Sequence, residues 1–507
     1  MNSVRRSGPP IGGAAPELIE SGFALENADA PFLHQGLNFA DMAHVLDLLR
    51  RGLIPRPAAR QMLELLLQTQ AMPADEFPYD PEFGEPYNSR EHFFVERLGN
   101  AAGWLHAGRP RREAARIAMR LYLRDQLLVL VDEVSRFGHS CTELAADHVR
   151  TLMPDQTYLQ QAQPSTFGHY LLSFAYPAIR DGRRLLDEFD WVNCSPGGAG
   201  CVNGTRLLAD RTFVAAELGF DGVIEHTRDA MWQIDGLIHI LATAASLIST
   251  QSKLAEDLEI WSSSEFNFID LADAFTRASI LMPQKRNPYS LSIVRGAAGV
   301  LIGRLSGFLA VAKSPSARSD NLIFAYGEVP RALDLSTRVT RLMSGVVRTL
   351  RVNAERMGEV LDMGYTQATD LTEFIVQTCN ADYRSAYVVV GKAVREASRL
   401  GIPGRQITGE MLDDIAFAET GRRWGLAGQD LSDVLDPMSI VTTRSATGGA
   451  APDAVNAMVD RCRTAVTELS ERVAAHRSAI DQANESLLAQ VRNIVNETED
   501  SHGSAAT

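Results

Sequence analysis

Apolar positions recur at helical spacing over most of the chain. The strongest run goes from Glu113 to Phe137 and carries Ile117, Leu121, Leu123, Leu127, Leu128, Leu130, Val131 and Val134. A second covers Arg228 to Trp261, a third follows Pro288 through Ile293, Val294, Val300, Leu301, Leu305 and Leu309, and a fourth spans Pro330 to Val352. Helices apolar around most of their circumference need more cover than one thin layer supplies. The pattern therefore predicts a central long-helix bundle that also buries surface against other subunits. Gly296, Ala297, Ala298, Gly299, Gly303 and Gly307 are expected to permit close helix approach there.

Shorter helices are predicted at Asp41 to Leu49, at Ala58 to Gln68 and, as one element, at Asp370 to Leu400. The stretch from Ala71 to Tyr87 has no period and reads as a long loop, a class of segment that is often functional. Alternating β-branched runs are scarce, so the fold class is all-α. The expected division is a disordered segment at 1–30, an N-terminal helical domain at 31–112, the bundle at 113–368, a small C-terminal helical domain at 369–495 and a disordered tail at 496–507.

Composition narrows the class. The 507 residues exceed what one core accommodates, while 45% hydrophobic and 22% charged content are ordinary for a soluble globular protein. A net charge of -14 argues against nucleic acid as the main partner, and an anionic substrate must be drawn by a local basic pocket. The five cysteines are scattered without a CxxC pair, so reduced thiols in a cytoplasmic protein are expected, with no metal site and no cofactor. No signal-peptide pattern and no membrane span are read.

Three separated segments carry candidate chemistry. Leu105-His106-Ala107-Gly108-Arg109-Pro110-Arg111-Arg112-Glu113 clusters three arginines at a turn before a long helix, where guanidinium forks and the helix N-terminus both favour anions. Asp155 to Pro164 is rich in hydroxyls and amides, including Thr157, Tyr158 and Gln163, and could orient a polar substrate. Ala278-Ser279-Ile280-Leu281-Met282-Pro283-Gln284-Lys285-Arg286-Asn287-Pro288 is a proline-punctuated loop offering a hydroxyl, a cation and an amide. Pro288 suits a first helical position, and a loop ending at a helix N-terminus is a ready anion site. Taken alone each segment also reads as an ordinary capped turn or solvated loop.

Together, in order and spacing, they resemble the signature blocks of the fumarase/aspartase superfamily, most closely of argininosuccinate lyases. Those blocks run Leu-His-Thr-Gly-Arg-Ser-Arg-Asn-Asp-Gln, Thr-His-Leu-Gln-x-Ala-Gln-Pro and Gly-Ser-Ser-x-Met-Pro-Gln-Lys-x-Asn-Pro. Further agreement at Leu218 to Val223, Leu254 to Phe266, Ala368 to Leu371, Val390 to Val394 and Gly448 to Pro452 extends the resemblance over roughly Ala43 to Val473. It implies a three-domain fold with long helices of four subunits forming one core. It further implies composite active sites built from different subunits, and elimination across a C–N bond that releases fumarate from a small dicarboxylate substrate. Ser279 is then the base, Lys285 and Asn287 steady the substrate carboxylate and the aci-carboxylate intermediate, and Arg111, Thr157 and Gln163 bind substrate. Loss of one such preorganised donor is expected to cost about two to three powers of ten in turnover.

The chain also departs from the family. Tyr158 stands where the family has a histidine linked to acid catalysis, and a phenol's ordinary pKa of roughly 10 suits donation to a basic leaving nitrogen but not neutral-pH shuttling. Pro110-Arg111-Arg112 replaces Ser-Arg-Asn, adding a cation at Arg112 that points to an extra anionic group on the substrate. The family's Tyr-Asn-x-Asp-Leu-Gln-Glu-Asp-Lys segment, which contacts the amine half, is rebuilt around Arg318. The fumarate half of the site is kept and the amine half is not. An N-substituted aspartate other than argininosuccinate is therefore the expected substrate, in either direction of reaction. The alternatives are a true argininosuccinate lyase and a non-catalytic structural relative.

Overall fold

A computed structural model describes residues 13–208, 210–314, 317 and 320–497. Expected disorder at 1–12 and 498–507 lies outside the described residues. The remainder of the N-terminal segment is folded, contrary to expectation: short helical turns occupy Pro16–Leu18, Ile19–Phe23 and Ala24–Asn27. Side-chain anchors account for this, since Asn27 donates to the Gly84 carbonyl and Asp29 pairs with Arg331 at 2.6 Å.

Helices α1 (Ala30–Arg50), α2 (Arg56–Ala71) and α3 (Pro86–Leu98) make the N-terminal unit. Then α4 (Arg111–Asp147) runs for 37 residues. Gly36 of α1 lies against it so closely that a Cβ there would meet the Ala118 backbone at 2.6 Å, which fixes glycine at that crossing. A β-hairpin follows, with β1 (Leu152–Thr157) antiparallel to β2 (Gln160–Thr166), where the sequence suggested only a polar loop. Thr166 caps α5 (Phe167–Val192), which returns along α4. The predicted helix from Arg228 is divided into α6 (Thr227–Trp232) and α7 (Asp235–Trp261). Beyond it, β3 (Arg277–Ala278) and β4 (Arg286–Asn287) form a second small hairpin, leading into α8 (Tyr289–Ala312). Helices α9 (Glu328–Arg348) and α10 (Ala354–Met363) complete the bundle region.

The element expected at Asp370 to Leu400 is two helices, α11 (Ala368–Cys379) and α12 (Tyr383–Leu400). Asn380 adopts φ 49° and ends the first, and Asp382 caps the second by accepting from the Ser385 N–H at 3.0 Å. With α13 (Gly409–Thr420) they surround a small separate core of Leu371, Val389, Leu412 and Leu426. That unit ends well before residue 495. The last helix, α14 (Pro452–Asn496), is 45 residues long and lies along α4 and α5, with Val455, Val459, Leu469 and Val473 in the bundle core and Leu487 and Val491 in the N-terminal core. A narrow apolar stripe on an otherwise polar helix conceals that docking from a reading by composition.

The main core is all-α and joins α4, α5, α7, α8, α9 and α14. Helix α8 is exceptional within it. Ile293, Val300, Ile302 and Leu309 are 39–52% exposed, and a Cβ at Gly296, Gly299, Gly303 or Gly307 would meet nothing within 4 Å. The close approach these glycines permit is therefore not made inside the protomer. Its length and mean hydropathy of 1.4 would also suit a membrane span. Arg295 and Arg304, however, are ion-paired to Glu259 at 2.6 Å and to Glu328 at 3.2 Å.

Candidate active site

The second and third candidate segments lie at one end of the bundle. The turn of the β1–β2 hairpin is Tyr158-Leu159, both with positive φ, at 54° and 59°. This two-residue reversal matches the twist of the strands but strains non-glycine residues. It holds Tyr158 98% exposed, with Thr157 and Gln163 also on the solvent side. The hairpin is anchored at its base, where the Trp261 indole N–H reaches Gln156 Oε1 at 3.4 Å at the end of α7.

The Ser279 loop grows out of the same end, from the segment after α7. Ser279 N–H donates to the Lys285 carbonyl at 3.3 Å and Lys285 N–H to the Met282 carbonyl at 3.0 Å, so the loop curls back on itself. Ser279 Oγ accepts the Met282 N–H at 3.0 Å. A donor aimed at a hydroxyl oxygen favours its ionised form. Asn287 spans the hairpin by donating to the Arg277 carbonyl at 3.0 Å, and Arg286 ties its base to Asp270 at 2.9 Å and Asp273 at 2.7 Å. Lys285 is exposed, and Ile280 and Leu281 stand out in solvent. Pro288 precedes the helix as its cap and Tyr289 is the first helical residue, one position later than expected.

The first segment lies at the opposite end. Here the three arginines do not form one anion site. Arg109 is 3% exposed and is consumed internally by Asp41, the Tyr87 hydroxyl at 2.8 Å and the Ala40 carbonyl at 3.0 Å. Arg90 holds the other Asp41 oxygen at 2.7 Å. Burial disfavours the Asp41 charge, but the two guanidinium groups outweigh it and hold its carboxyl below the ordinary range. Arg111 is half in solvent, bridged to Glu85 at 2.6 Å and to Asn88 Oδ1 at 3.2 Å. Arg112 turns toward the Trp232 ring, 6.0 Å from its centroid. Glu113 is fully buried and accepts the N–H groups of Gly198 and Gly200, each at 2.7 Å. Burial pushes its carboxyl up to about 7 against the pull of those donors and of Arg109 and Arg211.

A feature not read from the sequence begins here. Arg112, Arg116, Arg120 and Arg124 follow one another at four-residue spacing along α4, and each guanidinium lies 4.0–6.0 Å from an aromatic ring centroid: Trp232, Tyr326, Trp191 and Phe220 in turn. Arginines at i, i+4, i+8 and i+12 in an otherwise apolar helix were the available signal. The inner two are buried and spent on main-chain carbonyls, Arg120 on Trp191 at 2.6 Å and Arg124 on Leu218 at 2.8 Å. The outer two, Arg112 and Arg116, line a cavity with Glu26, Asp29, Glu85 and Tyr326. Arg318 lies outside the described residues; Ile323 and Tyr326, which follow its rebuilt stretch in the chain, line this same cavity.

The two ends are separated by the length of α4. At 1.5 Å per residue, 37 residues span about 55 Å. Arg111 and Arg112 therefore stand far from the hairpin and loop bearing Thr157, Tyr158, Gln163, Ser279, Lys285 and Asn287 in the same protomer.

Two family models match the chain: a lyase model over residues 86–303 and an argininosuccinate lyase C-terminal model over 365–442. The argininosuccinate lyase of Methanothrix thermoacetophila is 33% identical over 462 residues, covering 90% of this chain and 93% of its own. Among solved structures, a variant of EDDS lyase with bound fumarate superposes with a TM-score of 0.85 at 29% identity, covering 96% of both chains. EDDS lyase in complex with formate gives 0.84 at 29% identity over 96% of this chain and 97% of that one.

Proposed function

The chain belongs to the argininosuccinate lyase family of the fumarase/aspartase superfamily and is a fumarate-forming carbon–nitrogen lyase; from that premise we propose that it cleaves an N-substituted aspartate other than argininosuccinate, with Ser279 as base. The observation that carries this reading is the Ser279 loop, where a main-chain N–H is aimed at Oγ and Lys285 and Asn287 stand within eight residues. The Ser279 alkoxide takes the proton from the carbon beside a substrate carboxylate. The C–H electrons pass into that carboxylate as an aci-carboxylate, for which a nearby cation and amide must already be in place. Collapse forms the C=C bond of fumarate and expels the nitrogen, which takes a proton from Tyr158. Addition of an amine to fumarate is the same path reversed.

Two features support an altered leaving group. EDDS lyase structures superpose over nearly the whole chain, and Arg112, Tyr158 and the stretch around Arg318, where the chain departs from the argininosuccinate lyase pattern, are positions that the resemblance gives to the amine half. Incubation with argininosuccinate, followed by fumarate absorbance in the ultraviolet, is expected to give little turnover; efficient cleavage would refute the altered substrate. Ser279→Ala is expected to abolish turnover of whichever substrate the enzyme accepts, and a variant retaining most activity would remove Ser279 from the base role.

A homotetramer with composite sites belongs to the same proposal. The exposed apolar face of α8, its open glycines and the solvent-facing Ile280 and Leu281 all call for cover. Antiparallel packing of long helices from a second copy would bring that copy's Arg111 end to this copy's Ser279 end, closing a separation that one chain cannot close.

A further inference from the structure

Glu113 is a buried acid to which the lyase reading gives no task. It belongs to the first turn of α4, two residues after Arg111. Its two oxygens are divided evenly: Oε1 accepts the Gly198 N–H and Oε2 the Gly200 N–H, each at 2.7 Å. The loop that offers these donors, 196–204, turns so tightly that a Cβ at Gly200, where φ is 62°, would meet the Gly204 carbonyl oxygen at 2.6 Å. Arg211 clamps the loop from its other side, its Nε donating to the Gly197 carbonyl at 2.8 Å. Beyond Gly200 the contacts return to α4. The Cys201 carbonyl accepts the Trp232 indole N–H at 2.9 Å, and the Trp232 ring centroid lies 6.0 Å from the Arg112 guanidinium. Next to it, Arg116 donates to the Met231 carbonyl at 3.4 Å. One carboxylate thus joins α4, the loop and α6.

Such a joint is complete in one protonation state only. An ionised carboxylate accepts both N–H groups, whereas a protonated one turns a hydroxyl hydrogen toward one of them and loses that bond. Burial pushes the carboxyl up to about 7, against the two N–H donors and the charges of Arg109, in the turn before α4, and Arg211, after the loop. The loop itself carries no charged side chain. The joint is therefore whole above neutrality and weakened below it.

Granting the lyase reading above, we infer that Glu113 is a positioning residue: its ionised carboxylate pins loop 196–204 to the first turn of α4 and so sets Arg111 and Arg112 for the anionic substrate. At 1% exposure it acts through that turn and not by contact with the substrate. Affinity for a dicarboxylate then follows the charge of a group that the dicarboxylate never touches.

The test follows the tryptophan fluorescence of the full-length protein from about pH 5.5 to about pH 8.5, with Trp232→Phe as the blank that isolates the Trp232 signal. The difference is expected to change in one step centred near the Glu113 value of about 7. Glu113→Gln, which presents the protonated arrangement at every pH, is expected to remove that step. Fumarate, a dianion throughout this range, is titrated calorimetrically into the wild type and into Glu113→Gln at both ends of it. The wild type is expected to bind fumarate about 3- to 10-fold more tightly at the upper end, and Glu113→Gln to bind at both ends as weakly as the wild type does at the lower. A merely structural role would lower stability and leave the pH dependence of binding in place. If Glu113→Gln fails to fold, Arg211→Met takes its place: with one favouring charge gone, the step is expected to move to higher pH, and an unmoved step refutes Glu113 as its source. No step, a step that survives in Glu113→Gln, or fumarate affinity that is level across the range overturns the assignment. Absence of fumarate binding at both ends would count against the lyase reading, while the fluorescence step still decides whether Glu113 holds the loop.

Discussion

Ser279, Lys285 and Asn287 were legible in the sequence because their chemistry is packed into one short loop punctuated by proline. The buried acids were not, since burial depends on partners far along the chain. Glu188 of α5 is such a group: Thr243 of α7 donates to one oxygen, while Oε2 is buried with no hydrogen-bond partner among the described residues. Burial pushes its carboxyl up to about 7. The folded protein therefore holds this proton more tightly than the unfolded chain, whose glutamates titrate near the ordinary value. Stability is lost as pH rises from the unfolded value toward 7 and is level above it. Glu188→Gln is expected to raise stability at pH 8 by roughly 2 kcal/mol and to change it little at pH 4, as urea unfolding at the two pH values would establish. An equal effect at both would mean that the carboxyl is not held protonated. Lys285 is also notable at this scale: the chain has four lysines among its 49 basic side chains, and one of them stands in the candidate base loop. A compact ammonium there suits a point charge near a carboxylate better than a guanidinium fork does.

Among the elements, the long helices followed from apolar period alone, whereas the β1–β2 hairpin and the reach of α14 did not. The hairpin's turn carries Tyr158-Leu159 instead of the Asn-Gly type that such a reversal prefers, so nothing in its spelling announced a strand pair. The strain is concentrated where an exposed phenol is held out at the tip. Leu159→Gly relieves one of the two positive-φ positions and is expected to stabilise the protein by about 1 kcal/mol, read as a rise in thermal midpoint. A fall would mean that the Leu159 side chain packs on something more valuable than the strain it brings. In α14, apolar residues occupy a single narrow stripe, so by sequence the helix reads as part of the small domain before it. Its actual neighbours are α4 and α5, found only once the bundle is assembled.

For the whole molecule, the decisive length is that of α4. Local pattern gave the helix but not what its length does: about 55 Å long, it sets the guanidinium segment at one end and the hairpin that bears Tyr158 beyond the other. If the exposed face of α8 is where copies meet, Val300→Glu buries a charge in that contact. The variant is expected to run as smaller species in light scattering and to lose activity with its assembly, although Val300 touches no substrate. A variant that stays assembled and active would remove α8 from the interface.

The same separation has a genetic consequence. A lesion at Arg111 and a lesion at Ser279 disable different ends of the chain, so a site assembled from two copies can draw its intact Arg111 from one parent and its intact Ser279 from the other. Neither Arg111→Ala nor Ser279→Ala is expected to have activity by itself. After the two are unfolded together and refolded, random assortment should leave about a quarter of the sites with both segments intact. Recovery of that order would mean that a cell carrying two different broken alleles could grow where either alone could not, and no recovery would mean that each chain keeps its chemistry to itself.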